Sequence, residues 1–97
     1  MASADALDVR VPRFSLPADA RVAHAASVAT ALSELMTEHS VIQIDGGEVA
    51  EADAATVQIL LVAHHEVKAR GGKLSVRPQS DALAEAIRIA GAEQYFA

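Results

Sequence analysis

A short β-branched run, Val41-Ile42-Gln43-Ile44-Asp45, and an alternating run, Lys73-Leu74-Ser75-Val76-Arg77, flank a single stretch of helical periodicity from about Ala54 to Arg70. Strands separated by a helix of that length are expected to lie as parallel neighbours joined by a right-handed crossover. The spacing therefore predicts an α/β domain with a short mixed β-sheet, a parallel crossover and helices packed mainly on one face. It also puts the loop from Asp45 to Asp53 at the carboxyl end of its strand, where open α/β sheets usually locate function.

The remaining segments fit around that unit. Asp8 to Phe14 alternates Val9 and Val11 with Arg10 and Pro12, which predicts a short strand whose proline places it at a sheet edge. Residues 1–7 are expected to be a flexible N-terminus, with 8–97 forming one domain, since no repeat, linker or composition break interrupts them. Pro17-Ala18-Asp19 reads as a turn into a helix with Asp19 as its N-cap, and Val22, Ala25, Val28, Ala29, Leu32, Leu35 and Met36 recur at helical spacing. Gly46-Gly47 offers a sharp exit from the first β-branched run through backbone freedom. The central helix has an apolar set of Val57, Leu60, Leu61 and Val67, cations at Lys68 and Arg70 in its last turn, and Gly71-Gly72 as its stop. Pro78 is expected to end the strand before it. A last helix should start after Ser80, bury Leu83, Ala86, Ile87 and Ala90, and close at Gly91, with Tyr95-Phe96 packing back as a lid.

Composition narrows the function classes. A chain of 97 residues supports one core, and with 52% hydrophobic but only 3% aromatic residues that core is built from small side chains at close approach. Deep enzyme clefts and long aromatic pockets are not expected. Without cysteine there are no disulfides, thiolate metal sites or thiol nucleophiles, which fits a reducing compartment. The start Met1-Ala2-Ser3-Ala4-Asp5 lacks the basic and apolar runs of a signal peptide, and no apolar stretch reaches membrane-spanning length, so the chain reads as cytoplasmic without direct membrane insertion.

The net charge of −5 is unevenly spread: from Val22 through Val67 there is no lysine or arginine, while Glu34, Glu38, Asp45, Glu48, Glu51, Asp53 and Glu66 are acidic. Nucleic-acid binding needs a continuous basic face and is not expected. An acidic patch offered to a basic protein partner fits better. Its centre is Glu51-Ala52-Asp53-Ala54-Ala55-Thr56, where Asp53 is a candidate N-cap with no hydroxyl, thiol or imidazole beside it. Helix N-termini at strand ends often bind anions or accept phosphoryl groups. Here the reactive side chain is missing, which favours partner binding through Asp45, Gly47, Glu48, Glu51, Asp53, Ala54, Thr56 and Gln58, extending to Val62 and His65 along the helix.

Catalytic and metal readings find little support. His64 and His65 are adjacent, so on a helix they diverge by about 100°, whereas a helical metal pair needs i,i+3 or i,i+4 spacing. Glu48, Glu51 and Asp53 lie in a loop without desolvating aromatics to raise a carboxyl pKa. Gly46-Gly47 is too short to cradle phosphate and no lysine follows it. No enzyme activity, metal or cofactor is expected.

The order Val41-Ile42-Gln43-Ile44-Asp45, then Asp53-Ala54-Ala55-Thr56, then a helix ending Lys68-Ala69-Arg70-Gly71-Gly72-Lys73-Leu74 resembles a STAS domain, the fold of anti-sigma factor antagonists. The resemblance covers about residues 8–96. It implies that Asp53 matches the family aspartate of an Asp-Ser-x-Gly or Asp-Thr-x-Gly motif, with Ala54 at the degenerate phospho-acceptor position and Thr56 where the family has glycine. Alanine cannot accept phosphate, and Thr56 lies about 200° around the helix from Ala54. Ala55-Thr56-Val57-Gln58-Ile59-Leu60, Ser80-Asp81-Ala82-Leu83 and Ile87-Arg88-Ile89-Ala90-Gly91 are similar to small bacterial STAS proteins of the CheS type. That similarity implies a signalling module docking a chemotaxis-type histidine kinase. Two alternatives follow from the same family: a STAS subunit of a phospholipid-transport ABC system, which usually keeps threonine at the Ala54 position, or an anti-sigma factor antagonist switched at Thr56.

Overall fold

A computed structural model of the chain describes residues 11–96. Its elements are β1 (Arg13–Ser15), a 3-10 turn (Val22–His24), α1 (Ala25–Glu38), β2 (Val41–Gly46), α2 (Ala54–Ala69), β3 (Lys73–Gln79), α3 (Asp81–Ile89) and the short α4 (Glu93–Phe96). The strands form a three-stranded sheet in the order β1-β2-β3. Both pairings are parallel, with Phe14 opposite Ile44 and Ile42 opposite Leu74. The α/β class and the crossover through α2 are as the spacing predicts. Among the described residues no antiparallel pair occurs, so over this span the sheet is parallel rather than mixed. β1 is also shorter than the expected strand from Asp8: it begins after Pro12, which has no N–H to give to a ladder. Residues 8–10 of that expected strand, and the expected flexible segment 1–7, lie outside the described residues.

Burial alternates along β2 and β3, as a sheet with one covered face requires. Ile42, Ile44, Leu74 and Val76 are buried, while Val41, Lys73 and Arg77 point the other way into solvent. Against the covered face lie Val28 and Leu32 of α1, Val57, Leu60, Ala63 and Val67 of α2, and Leu83 and Ile87 of α3. Each large side chain buried in this way contributes about 1.5–3 kcal/mol. The helical stripe expected from Val22 to Met36 is narrower in the fold. Val22 is 66% exposed, since regular helix begins only at Ala25, and Ala29 within the helix is exposed as well.

The element ends show why the chain turns where it does. α2 closes in a Schellman arrangement, with the Gly72 N–H on the Val67 carbonyl, the Gly71 N–H on the Lys68 carbonyl and Gly71 at φ 81°. α3 repeats the pattern: Ala92 bonds to Ile87, and Gly91 sits at φ 72°. Ala90 is the exposed C-cap of α3 rather than a buried member of it. Gly46 and Gly47 serve a different purpose from the conformational one expected, since neither has positive φ. A Cβ on Gly46 would run into the Leu83 side chain, and one on Gly47 would lie 2.9 Å from Pro78 Cγ. These glycines let the end of β2 pack directly under α3 and the end of β3. β3 itself does not stop at Pro78 but runs to Gln79, with a register shift between Ile44 and Gly46. As an edge strand among the described residues, β3 tolerates the missing proline N–H. The chain's end packs back as the sequence suggests: Phe96 is buried and its carbonyl accepts from Gln79 Nε2 at 2.7 Å.

Candidate functional site

The loop leaving β2 is tied down along its length by backbone bonds to the segment after β1. The Leu16 N–H donates to the Asp45 carbonyl at 2.9 Å, the Ala50 and Glu51 N–H groups donate to the Ala18 carbonyl, and the Ala20 N–H donates to the Glu51 carbonyl at 2.9 Å. Asp19 and Glu51 form a parallel bridge. Asp19 therefore belongs to this bridge and is not the N-cap of the first helix. Its carboxylate takes the Arg21 guanidinium in two contacts of 2.9 Å, and Arg21 Nη1 reaches Glu51 Oε1 at 2.9 Å. Hydrogen bonds from Arg21 hold the Asp19 carboxyl far below the usual carboxylate range.

Asp53 organises the turn into α2. Its Oδ1 accepts the N–H of Ala55 at 3.1 Å and of Thr56 at 3.3 Å, and Thr56 Oγ1 accepts the Asp53 N–H at 3.3 Å, completing a capping box. Oδ2 accepts the Val22 N–H at 3.1 Å. One carboxylate thus caps its own helix and the 3-10 turn that leads into α1. The bond from Val22 has the largest effect: with those from Thr56 and Ala55 it outweighs partial desolvation and lowers the Asp53 pKa. The N–H groups that would have made an anion site at this helix start are accordingly occupied by the protein's own aspartate.

Burial sorts the residues that the sequence grouped together. Gly47, Glu48, Glu51, Ala54 and Gln58 are exposed, and Asp45 and Asp53 are half-buried. Thr56 is different, being only 2% exposed, with its hydroxyl donating to the Ala20 carbonyl. It is an internal strut rather than a surface contact. Asp45 Oδ1 is engaged by the Gly47 N–H at 2.9 Å. The acidic edge is therefore less uniformly available than the residue count implies: Glu51 is paired with Arg21, while Glu48 enters no ion pair among the described residues. Arg21 was not legible as a member of this edge. The Asp19-x-Arg21 spacing hints at a local pair, but nothing local signals Glu51.

The two histidines separate. His64 is half-buried against Tyr95 and Phe96, with ring centroids 5.5 and 5.7 Å away, and His65 is exposed, 5.3 Å from the Tyr95 ring. Desolvation, with the nearby His65 and Lys68, lowers the His64 pKa. Among the described residues no cluster of three or more metal-ligating side chains occurs, and no helix is long and apolar enough to cross a membrane.

A parallel crossover that leads through a stitched, partly acidic loop into a capped helix start defines a small α/β domain. The chain belongs to the STAS family: the family model described as Mlab, STAS domain, matches residues 3–96. Domains of this family typically act through protein–protein contacts and are generally non-catalytic. No curated protein matches the sequence.

Proposed function

We propose that this STAS domain is a non-catalytic docking module of bacterial signalling that holds a histidine kinase of the chemotaxis type, in the cytoplasm and without a Ser/Thr phospho-switch. The observation that carries the reading is the state of α2's first turn. Ala54, at the position where the family resemblance implies a phospho-acceptor, is exposed but has only a methyl group, and the nearby Thr56 hydroxyl is buried against Ala20. Phosphorylating Thr56 would require breaking both its capping bond and its bond to Ala20, and would place a dianion beside the Asp53 carboxylate. Docking through Gly47, Glu48, Glu51, Ala54 and Gln58 would then be constitutive, with Asp45, Asp53 and Thr56 shaping the edge from behind.

Titration calorimetry of the chain against a candidate histidine kinase tests this, with Glu48→Lys as the variant. Charge reversal at this exposed position is expected to weaken binding at least about tenfold, roughly 1.4 kcal/mol, while leaving the thermal transition in place. Unchanged affinity would remove the acidic edge from the interface. Intact mass measurement after incubation with serine/threonine kinases should show no phosphate on Thr56.

The Mlab description of the matching family model favours keeping a second reading, a STAS subunit of a phospholipid-transport ABC system. The same edge would then face a transport ATPase. Capture of such an ATPase in place of a histidine kinase decides between the two.

A further inference from the structure

β3 closes the described sheet on one side, and a cleft of about 540 Å³ follows its outer edge. One wall comes from the helices: His64 and Lys68, one turn apart on α2, and Tyr95 of α4. The other comes from the face of the strand turned away from the helices, where Lys73, Ser75 and Arg77 alternate with the buried Leu74 and Val76. Lys68, Lys73 and Arg77 are all exposed, and among the described residues no aspartate or glutamate lines the cleft.

These cations stand apart from others in the chain. Arg21 and Arg88 are each held by carboxylates, whereas Lys68, Lys73 and Arg77 enter no ion pair among the described residues. Three unneutralised charges around one cleft, in a chain of net charge −5, favour an anionic occupant. Their spacing indicates its shape. Lys73 and Arg77 are four residues apart on one strand, so their backbones lie roughly 13 Å from each other. Carboxylates at alternate positions of an extended chain recur along one side with the same repeat and can meet both. The strand edge itself has little to give to a ladder. Gln79 Nε2 donates to the Val76 carbonyl at 3.2 Å and to the Phe96 carbonyl at 2.7 Å, and Leu74 and Val76 are only 4% and 1% exposed. An occupant would be held by its side-chain charges rather than by pairing as an added strand.

We infer that this cleft binds an extended, acidic segment of a partner protein, its carboxylates meeting Lys73 and Arg77 along the strand and Lys68 across the cleft. The inference asks only that the domain makes protein contacts and does not depend on the histidine-kinase reading. It gives the domain a second face, opposite in charge to the edge between β2 and α2. A second copy of this chain is a poorer occupant. The acidic loop it could offer has Glu51 paired with Arg21, and Asp45 and Asp53 bonded to backbone N–H groups, which leaves Glu48.

The test uses the full chain and a synthetic peptide of about twelve residues in which glutamate alternates with threonine, a residue that favours extended backbone. The same peptide with lysine in place of glutamate is the control. Tyr95 is the only tyrosine and the chain has no tryptophan, so intrinsic emission reports on the cleft directly. The glutamate peptide should change that emission saturably, with an affinity that falls as salt is added, and the lysine peptide should bind at least about tenfold more weakly. Lys73→Glu combined with Arg77→Glu, both at exposed positions, should cost the glutamate peptide at least about tenfold. Arg70→Glu combined with Arg88→Glu changes the net charge equally but away from the cleft, and should cost less than about threefold. Thermal melts show that both double variants remain folded. Equal loss in the two, or equal binding of the two peptides, overturns the inference. Tighter binding of inorganic phosphate or of an oligothymidylate at the same residues also overturns it, by making the cleft a phosphate site. So does concentration-dependent assembly in sedimentation that Lys73→Glu with Arg77→Glu abolishes, which would make the cleft a self-association face. Glu48→Lys should leave the affinity for the glutamate peptide in place, so that failure of the acidic edge and failure of the cleft are read separately.

Discussion

The Asp53 carboxylate accepts the backbone N–H of Val22 at 3.1 Å across 31 positions of sequence. The residue that starts α2 therefore also fixes the entrance to α1. It makes Asp53 a structural residue first, and a charge reversal there would report on folding as much as on docking.

Asp53→Ala should lower the thermal midpoint by several degrees, and Asp53→Asn by less, because asparagine remains a good N-cap. The pH dependence has a definite sign. Hydrogen bonds hold the folded-state pKa of Asp53 below its unfolded value, so its contribution is complete above the ordinary carboxylate range and is lost as pH falls through the lowered value. Asp19, held down by Arg21, acts in the same direction. Thermal melts from pH 7 down to about 2 should show the wild-type advantage over Asp53→Ala shrinking below about pH 4. A constant gap across that range would remove the charge from the account.

Thr56→Val keeps the shape of the side chain but removes the hydroxyl that joins Asp53 to the Ala20 carbonyl. Leaving that carbonyl unpaired should cost about 1–3 kcal/mol in urea unfolding. Thr56→Ser should recover most of the loss. A neutral Thr56→Val would mean that the hydroxyl is dispensable to the fold.

Gly46→Ala places a methyl group against the Leu83 side chain. Overpacking of this kind typically costs about 1–3 kcal/mol. Pairing it with Leu83→Ala tests the cause: the double variant should be more stable than the sum of the two single losses predicts. Strict additivity would place the strain elsewhere.

His64 packs under Tyr95 and Phe96, and burial lowers its pKa. Because the folded value lies below the unfolded one, the neutral ring's contribution is full above about pH 6.5 and falls as pH drops through the folded value. Histidine ring shifts followed by NMR should give His64 a midpoint below the ordinary histidine value. Tyr95 resonances should move with it. If His64 titrated at or above the ordinary histidine value, the ring would not be desolvated in solution.

Much of the fold was legible because its signals are local. The β-branched run at Val41, the alternating run at Lys73, the Ser80 cap, which accepts from Leu83 N at 3.1 Å, and the glycines ending α2 and α3 each declare themselves within a few residues. The start of α1 was not legible. Asp19 has the right chemistry for a cap, but Arg21 and the bridge to Glu51 claim it, and the acceptor that serves Val22 lies on another element. Gly46 and Gly47 misled for a related reason, since what they accommodate is Leu83 and Pro78, more than thirty positions away. At the candidate site, sequence could not separate inward Thr56 from outward Ala54 and Glu48.

The bonds from Ala18, Ala20 and Val22 to Ala50, Glu51 and Asp53 mean that the edge is assembled from two stretches of chain, one following each of the paired strands β1 and β2. A linear peptide copied from Gly47 to Gln58 would lack half of that framework. Any partner that grips this edge would thereby distinguish finished domains from nascent or damaged ones, and its occupancy would serve as a count of correctly folded molecules.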